Sequence, residues 1–139
     1  MIVAHWLVKS EPAKYSWAQL VKDGRTHWNG VRNYQAANNL KAMRNGELAF
    51  FYHSVEELAI VGIAEIVREY YPDPSDASGR FGMVDIKPVR PVAQPVTLQQ
   101  IKAEPRLAEL GLVRQSRLSV VAVAPAEWRL LCKMAGVKA

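Results

Sequence analysis

The chain has 139 residues, 50% of them hydrophobic and 22% charged, which fits one globular domain over residues 1–139 and excludes a disordered or fibrous composition. Eighteen Lys and Arg against 13 Asp and Glu leave a formal charge of +5, a balance that favours anionic partners and puts nucleic acid ahead of a membrane surface. No apolar run approaches the roughly 20 residues of a membrane span, and the opening segment, with His5 and Lys9, does not read as a secretory signal, so the expected address is cytoplasmic.

His5 to Lys9 (HWLVK) alternates bulky apolar with polar groups as a strand does, and Glu11 and Pro12 end it. Ser16 is placed to cap a helix over WAQLVKD, with Trp17, Leu20 and Val21 on one face and Gly24 as its stop. Arg25 to Trp28 lead into a turn at Gly30. Asn33 then caps a second helix whose apolar stripe is Ala36, Ala37, Leu40 and Met43, with Gly46 following.

From Glu47 the pattern changes to strands: ELAFFYHS, LAIVGIAEIV and RFGMVDIKPV. The connection YYPDPSDASGR carries the turn residues of a solvated loop and nothing that calls for a function. Pro88, Pro91 and Pro95 are expected to break up the stretch that follows. Thr97 and Gln100 form a capping box for a short helix, Glu104 to Leu110 reads as a further helical turn, and RLSVVAV is the last strand. Pro125 opens a final helix with Trp128, Leu131 and Cys132 on its buried side, although Ala124 is a poor cap. Strands gathered in the middle, helices early and late, and no regular βαβ alternation point to an α+β domain on a curved or closed sheet.

Three dispersed histidines, His5, His27 and His53, and a lone Cys132 make no metal constellation, and the cysteine reads as a buried inert thiol. Neither a glycine-rich phosphate loop nor a GxSxG nucleophile motif is present, and no cofactor is expected.

The densest polar segment is Trp28 to Asn39, WNGVRNYQAANN, whose amide, guanidinium and aromatic side chains are those that stack on a base and read its edges. Burying so many of them without a ligand would demand many satisfied polar contacts, and a binding site explains the density more economically. Three smaller clusters accompany it. Lys9, Ser10 and Glu11 follow the first strand, where a solvated strand end is the simpler explanation from composition alone. Tyr52, His53 and Ser54 end another strand and are open to the same explanation. Arg114 and Arg117 flank Ser116 before the last strand, a phosphate-holding pattern or a merely solvated basic loop.

These segments, in this order, resemble the EVE domain family of the PUA-like superfold. The resemblance is carried by HWLVKSEP, WNGVRNYQAANN, LAFFYHS, GIAEIV, YPDP, MVDIKPV, PVTLQQIKAEP, RQSRLSV and the pair Glu127–Trp128, and it runs over nearly the whole chain. It implies a PUA-like mixed β-barrel with flanking helices, related to YTH and ASCH domains. It also implies a reader of a modified nucleobase, modified cytosine in DNA ahead of RNA; no enzymatic activity and no membrane partner are expected, and a monomer is favoured over an oligomer. Carried over by position, the pocket comprises Lys9, Ser10 and Glu11; Trp28, Val31, Arg32, Asn33, Tyr34, Gln35 and Asn38; Tyr52, His53 and Ser54; and Ser116, Arg117 and Ser119. Two departures stand out: Asn29 where an Asp is common after the Trp, and Ala37 where an Arg is common before Asn38.

On this reading Trp28, with Tyr34 or Tyr52, stacks on an extruded base. Ser10, Asn33 and Gln35 read its edge, and Lys9, Arg32 and Arg117 hold flanking phosphates. The alternatives are an enzyme acting on a modified nucleoside or nucleic acid through Lys9, Glu11 and His53, and a sensor of small anions.

Overall fold

The computed structural model describes residues 4–138. Among them six strands form one mixed sheet: β1 (His5–Ser10), β2 (Thr26–His27), β3 (Leu48–His53), β4 (Ala59–Pro72), β5 (Gly82–Thr97) and β6 (Val120–Val123). Their order is β2-β5-β4-β3-β1-β6; β1 and β3 are parallel and every other pairing is antiparallel. Five α-helices flank the sheet: α1 (Trp17–Asp23), α2 (Tyr34–Ala42), α3 (Leu98–Lys102), α4 (Gly111–Arg114) and α5 (Pro125–Ala135), with a 3-10 turn at Pro105–Leu107. The α+β class and the mixed sheet with flanking helices are as expected. The sheet is not closed, since its order begins at β2 and ends at β6.

Residues Trp6, Leu7 and Val8 are all buried, as is the whole of β3 from Ala49 to His53, so these central strands are covered on both faces rather than alternating in and out. Helix α2 packs across β4, β5 and β6, and α5 packs on β5. Gly62 in β4 allows a close approach: a Cβ there would meet the Trp17 indole at 2.6 Å, and that indole lies edge-on to Phe51 with centroids 5.5 Å apart.

The helix starts follow the caps read from sequence. Ser16 accepts from the Gln19 amide, Asn33 from the Ala36 amide, and Thr97 and Gln100 make a reciprocal capping box. For α5 the Glu127 carboxylate accepts from the Ala124 N–H at 2.9 Å, which makes up for the missing cap side chain. Val21, expected on the buried face of α1, is 52% exposed; the short helix buries Leu20 and leaves Val21 outside it.

The prolines do not interrupt β5, which runs through Pro88, Pro91 and Pro95. Strand β2 pairs with β5 only at Asp85 and Ile86, so beyond them β5 is the edge of the sheet and its missing N–H groups cost little. The register with β4 shifts where Pro88 and Pro91 lie, at the bulges that accommodate them.

Candidate nucleic-acid interface

Topology brings the separated polar clusters to one end of the sheet. Parallel pairing of β1 with β3 sets Lys9 beside Tyr52 and Ser10 beside His53, so both strands finish together. Strand β6 runs antiparallel to β1 and begins at the same end, where the Lys9 amide donates to the Ser119 carbonyl at 3.0 Å. The segment after β2 completes the arrangement: the Trp28 amide donates to the Val84 carbonyl at 2.7 Å, and the chain then turns at Gly30 with φ +80°, a left-handed conformation suited to glycine.

A cleft of about 510 Å³ opens between these segments, lined by Lys9, Ser10, Glu11, Trp28, Val31, Arg32, Asn33 and Ser119 of the expected set. A second cleft of about 310 Å³ is lined by Asn33, Gln35, Arg114, Gln115, Ser116, Arg117 and Leu118. Asn33 lines both, and the Lys9 ammonium donates to the Ser116 carbonyl at 2.9 Å, which ties the walls of the two clefts together. Burial lowers the Lys9 pKa.

The wall from Gly30 to Arg32 is held from behind by Asp73. This carboxylate, 2% exposed, accepts from the Gly30 amide at 2.8 Å and from Arg32 Nη1 at 3.3 Å, and its other oxygen accepts from the Ser75 amide and hydroxyl. Burial alone would raise its pKa, but the bonds from Ser75, Gly30 and Arg32 outweigh it and lower the value to about 2. Arg32 also reaches the Ser75 hydroxyl at 2.9 Å and lies over the Phe81 ring. The loop read as a featureless connection therefore shapes the cleft.

Several expected pocket residues stand elsewhere. Tyr52 is 2% exposed inside the core, and Tyr34 is 62% exposed and packs against Phe81; neither lines either cleft. His53 is buried, and its Nε2 accepts from the Trp17 amide at 3.0 Å, which fixes the start of α1. Ser54 donates its amide to the Ser10 carbonyl, and Asn38 is exposed on α2; neither lines the clefts. Ala37 is buried in the core, so that departure from the family pattern leaves the cleft wall unchanged, whereas Asn29 lines the cleft directly.

The cleft also contains residues that sequence reasoning passed over, Lys14, Tyr15, Thr26 and His27, together with Asn29 and Gly30 of the polar segment, which were not assigned to the pocket. Tyr15 is a second aromatic residue of the cleft lining, its carbonyl accepting from the Ser10 hydroxyl and its own hydroxyl donating to Asp23 at 2.9 Å. His27 is held by Asp85, which lies 2.9 Å from its Nδ1, is 2% exposed, and also accepts from Arg25 and the Tyr71 hydroxyl. For Asp85 too, burial opposes the charged form and the bonds from Tyr71, His27 and Arg25 prevail, holding its pKa below the usual carboxylate value. A strand of two residues with one histidine leaves no periodic signal, which is why this group was not legible.

Comparison with known proteins places the geometry in a family. Residues 4–134 match the EVE domain. Thymocyte nuclear protein 1 of Gallus gallus is 42% identical over 124 residues, covering 70% of this chain and 51% of that protein, so the chain spans about half the length of this curated relative. A solved structure from Rhodopseudomonas palustris is 57% identical with TM-score 0.91, covering 96% of this chain and 94% of that one. The human THYN1 protein crystallised in complex with 5-methylcytosine-containing DNA is 32% identical with TM-score 0.90, covering 98% of this chain and 99% of that one. Among the described residues no helix is long and apolar enough to cross a membrane.

Proposed function

The chain belongs to the EVE domain family, and from that membership we propose that it is a binding module for a modified nucleobase, modified cytosine in DNA, received in the larger cleft. The observation that carries this reading is the backbone match over 98% of the chain to a human relative crystallised with 5-methylcytosine-containing DNA. The cleft volume of about 510 Å³ lies in the range of small-ligand sites, roughly 300 to 1,000 Å³.

In this reading Trp28 and Tyr15 form the apolar walls against which the base lies, in place of the Tyr34 and Tyr52 partners expected from sequence. Base–aromatic stacking is worth about 1 to 3 kcal/mol per base. Ser10, Glu11, Asn33 and Ser119 supply edge-reading groups around the base. Lys9, placed between the clefts, neutralises the adjoining phosphate, and the second cleft, with Gln35, Ser116 and Arg117, takes the next stretch of backbone. Helix α2 begins where the clefts meet and adds the partial positive charge of its N-terminus. Arg32 serves mainly as a strut, since Asp73 and Ser75 already engage its guanidinium.

Extruding a base from a duplex costs a few kcal/mol, so single strands and mismatched sites are the preferred substrates. The enzymatic alternative loses one of its three groups, because His53 is buried with its Nε2 occupied. Titration of labelled single-stranded oligonucleotides carrying cytosine or 5-methylcytosine at one position tests the proposal. Tighter binding of the methylated strand is the expected result, and equal, weak binding of both would overturn it.

A further inference from the structure

A pocket that accepts 5-methylcytosine faces a selection problem set by chemistry. Thymine carries the same methyl group on C5 and differs at C4, where cytosine presents an amino donor and thymine a carbonyl acceptor, and at N3, a bare acceptor in cytosine and an N–H donor in thymine. An apolar wall fitted to the methyl group binds both, and thymine is abundant in DNA. A hydrogen-bond acceptor, fixed in position and facing C4, pairs with the cytosine amino group and is repelled by the thymine carbonyl.

The larger cleft offers few such groups that are held in place: the Asn29 amide oxygen has no hydrogen bond to fix it among the described residues, and a hydroxyl such as that of Ser10, Thr26 or Ser119 can donate as well as accept and so pairs with either base. Lys9 and Lys14 only donate. The Glu11 carboxylate faces the Lys14 ammonium at 3.4 Å, and the Asn33 side-chain oxygen is engaged in capping α2. His27 is different. Its Nδ1 lies 2.9 Å from the Asp85 carboxylate, which is held ionised and only accepts, and 2.9 Å from the Tyr71 hydroxyl, whose single proton goes to that same carboxylate, so Nδ1 carries the proton. The neutral ring then has its lone pair on Nε2, on the edge away from Asp85. The ring is 63% exposed and lines the cleft, and Nε2 has no protein partner among the described residues. Arg25 at 2.8 Å and the Tyr71 hydroxyl hold Asp85 in turn, while Arg68 stacks on the Tyr71 ring at 3.5 Å, so the carboxylate is braced on every side it presents.

We propose that His27 Nε2 is the acceptor that reads the C4 amino group of the bound pyrimidine, and that Asp85 is the residue that positions it and fixes its tautomer. This deepens the reading of the larger cleft as a base pocket and rests on it.

The test uses single-stranded oligonucleotides identical except for one central base, cytosine, 5-methylcytosine or thymine, bound to the wild type, His27→Ala, His27→Gln and Glu11→Gln. The wild type is expected to prefer 5-methylcytosine over thymine by about 10- to 100-fold, the usual consequence of leaving a polar group unpaired once the base covers it. His27→Ala narrows that ratio to about threefold or less while keeping its preference for 5-methylcytosine over cytosine, and His27→Gln, whose amide oxygen accepts, recovers part of it. Thermal melting of each variant separates a folding defect from a binding one.

Absence of any methyl preference in the wild type would remove the base-pocket reading. A methyl preference together with undiminished thymine rejection in His27→Ala would overturn the role of His27 alone, as would loss of rejection in Glu11→Gln only. For the positioning role, the imidazole nitrogen-15 shifts of the wild type at mildly alkaline pH should report Nδ1–H with unprotonated Nε2, and Asp85→Asn should mix the tautomers. An unchanged tautomer in Asp85→Asn would contradict that role.

Discussion

Asp73 is the residue on which the shape of the cleft depends, because it holds the Gly30 amide and the Arg32 guanidinium from a fully enclosed position. Its folded pKa of about 2 lies below the ordinary 3.8, so its ionised form stabilises the fold above pH 3.8 and that stabilisation is lost as the pH falls toward 2. The shift corresponds to about 2 kcal/mol. Asp73→Asn should therefore be less stable than the wild type by about that amount in urea unfolding near neutral pH. The gap should close in strong acid, and a constant difference across the acid range would contradict this role for the charge. None of this was legible beforehand, because an aspartate in a Pro- and Ser-rich loop looks the same in sequence whether it faces water or a buried backbone amide. His27 and His53 show the same limit: the histidine in the apparent cluster is the buried one, and the isolated one lines the cleft.

At the scale of elements, caps and strand cores were readable because each depends on residues a few positions apart. Ser16, Asn33 and the Thr97–Gln100 pair all perform as their spacing implied. Asn33→Ala should cost about 1 kcal/mol of stability by loss of the cap, whereas Asn33→Ser retains a capping hydroxyl and should keep most of it. Oligonucleotide affinity should fall in both, since the amide lines both clefts, and unfolding and binding curves on the two variants separate the effects. Strand β2 and helix α4 were missed, being two and four residues long. The prolines of β5 misled because their tolerance depends on which strand lies alongside, a fact of tertiary pairing. Gly62 belongs to the same class. With the Trp17 indole 2.6 Å from the site of its missing Cβ, Gly62→Ala should destabilise the fold by about 1 to 3 kcal/mol in the same unfolding assay.

For the whole molecule, the proposed function lays a nucleic-acid backbone along the two adjoining clefts of a chain with a surplus of positive charge. Affinity for a single strand should fall with salt, and removing one phosphate contact, as in Arg117→Ala, should reduce the slope of log K against log salt by about 0.7. An unchanged slope would place Arg117 off the path of the strand. The gathering of Lys9–Glu11, Trp28–Asn33 and Ser116–Ser119 followed from the family pattern, and its physical basis is the parallel β1–β3 pair with β6 starting at the same end. What the linear pattern did not contain is the direction of each side chain, so Tyr34 and Tyr52 were grouped with residues they do not join. Nuclear magnetic resonance titration of the labelled protein with a single-stranded 5-methylcytosine oligonucleotide tests the base cleft most directly. Amide shifts should concentrate at Lys9–Glu11, Thr26–Asn33 and Ser119, and be larger than with the unmethylated strand; shifts confined to the separate groove that the exposed Val55 and Leu58 form with α3, or equal for both strands, would contradict it.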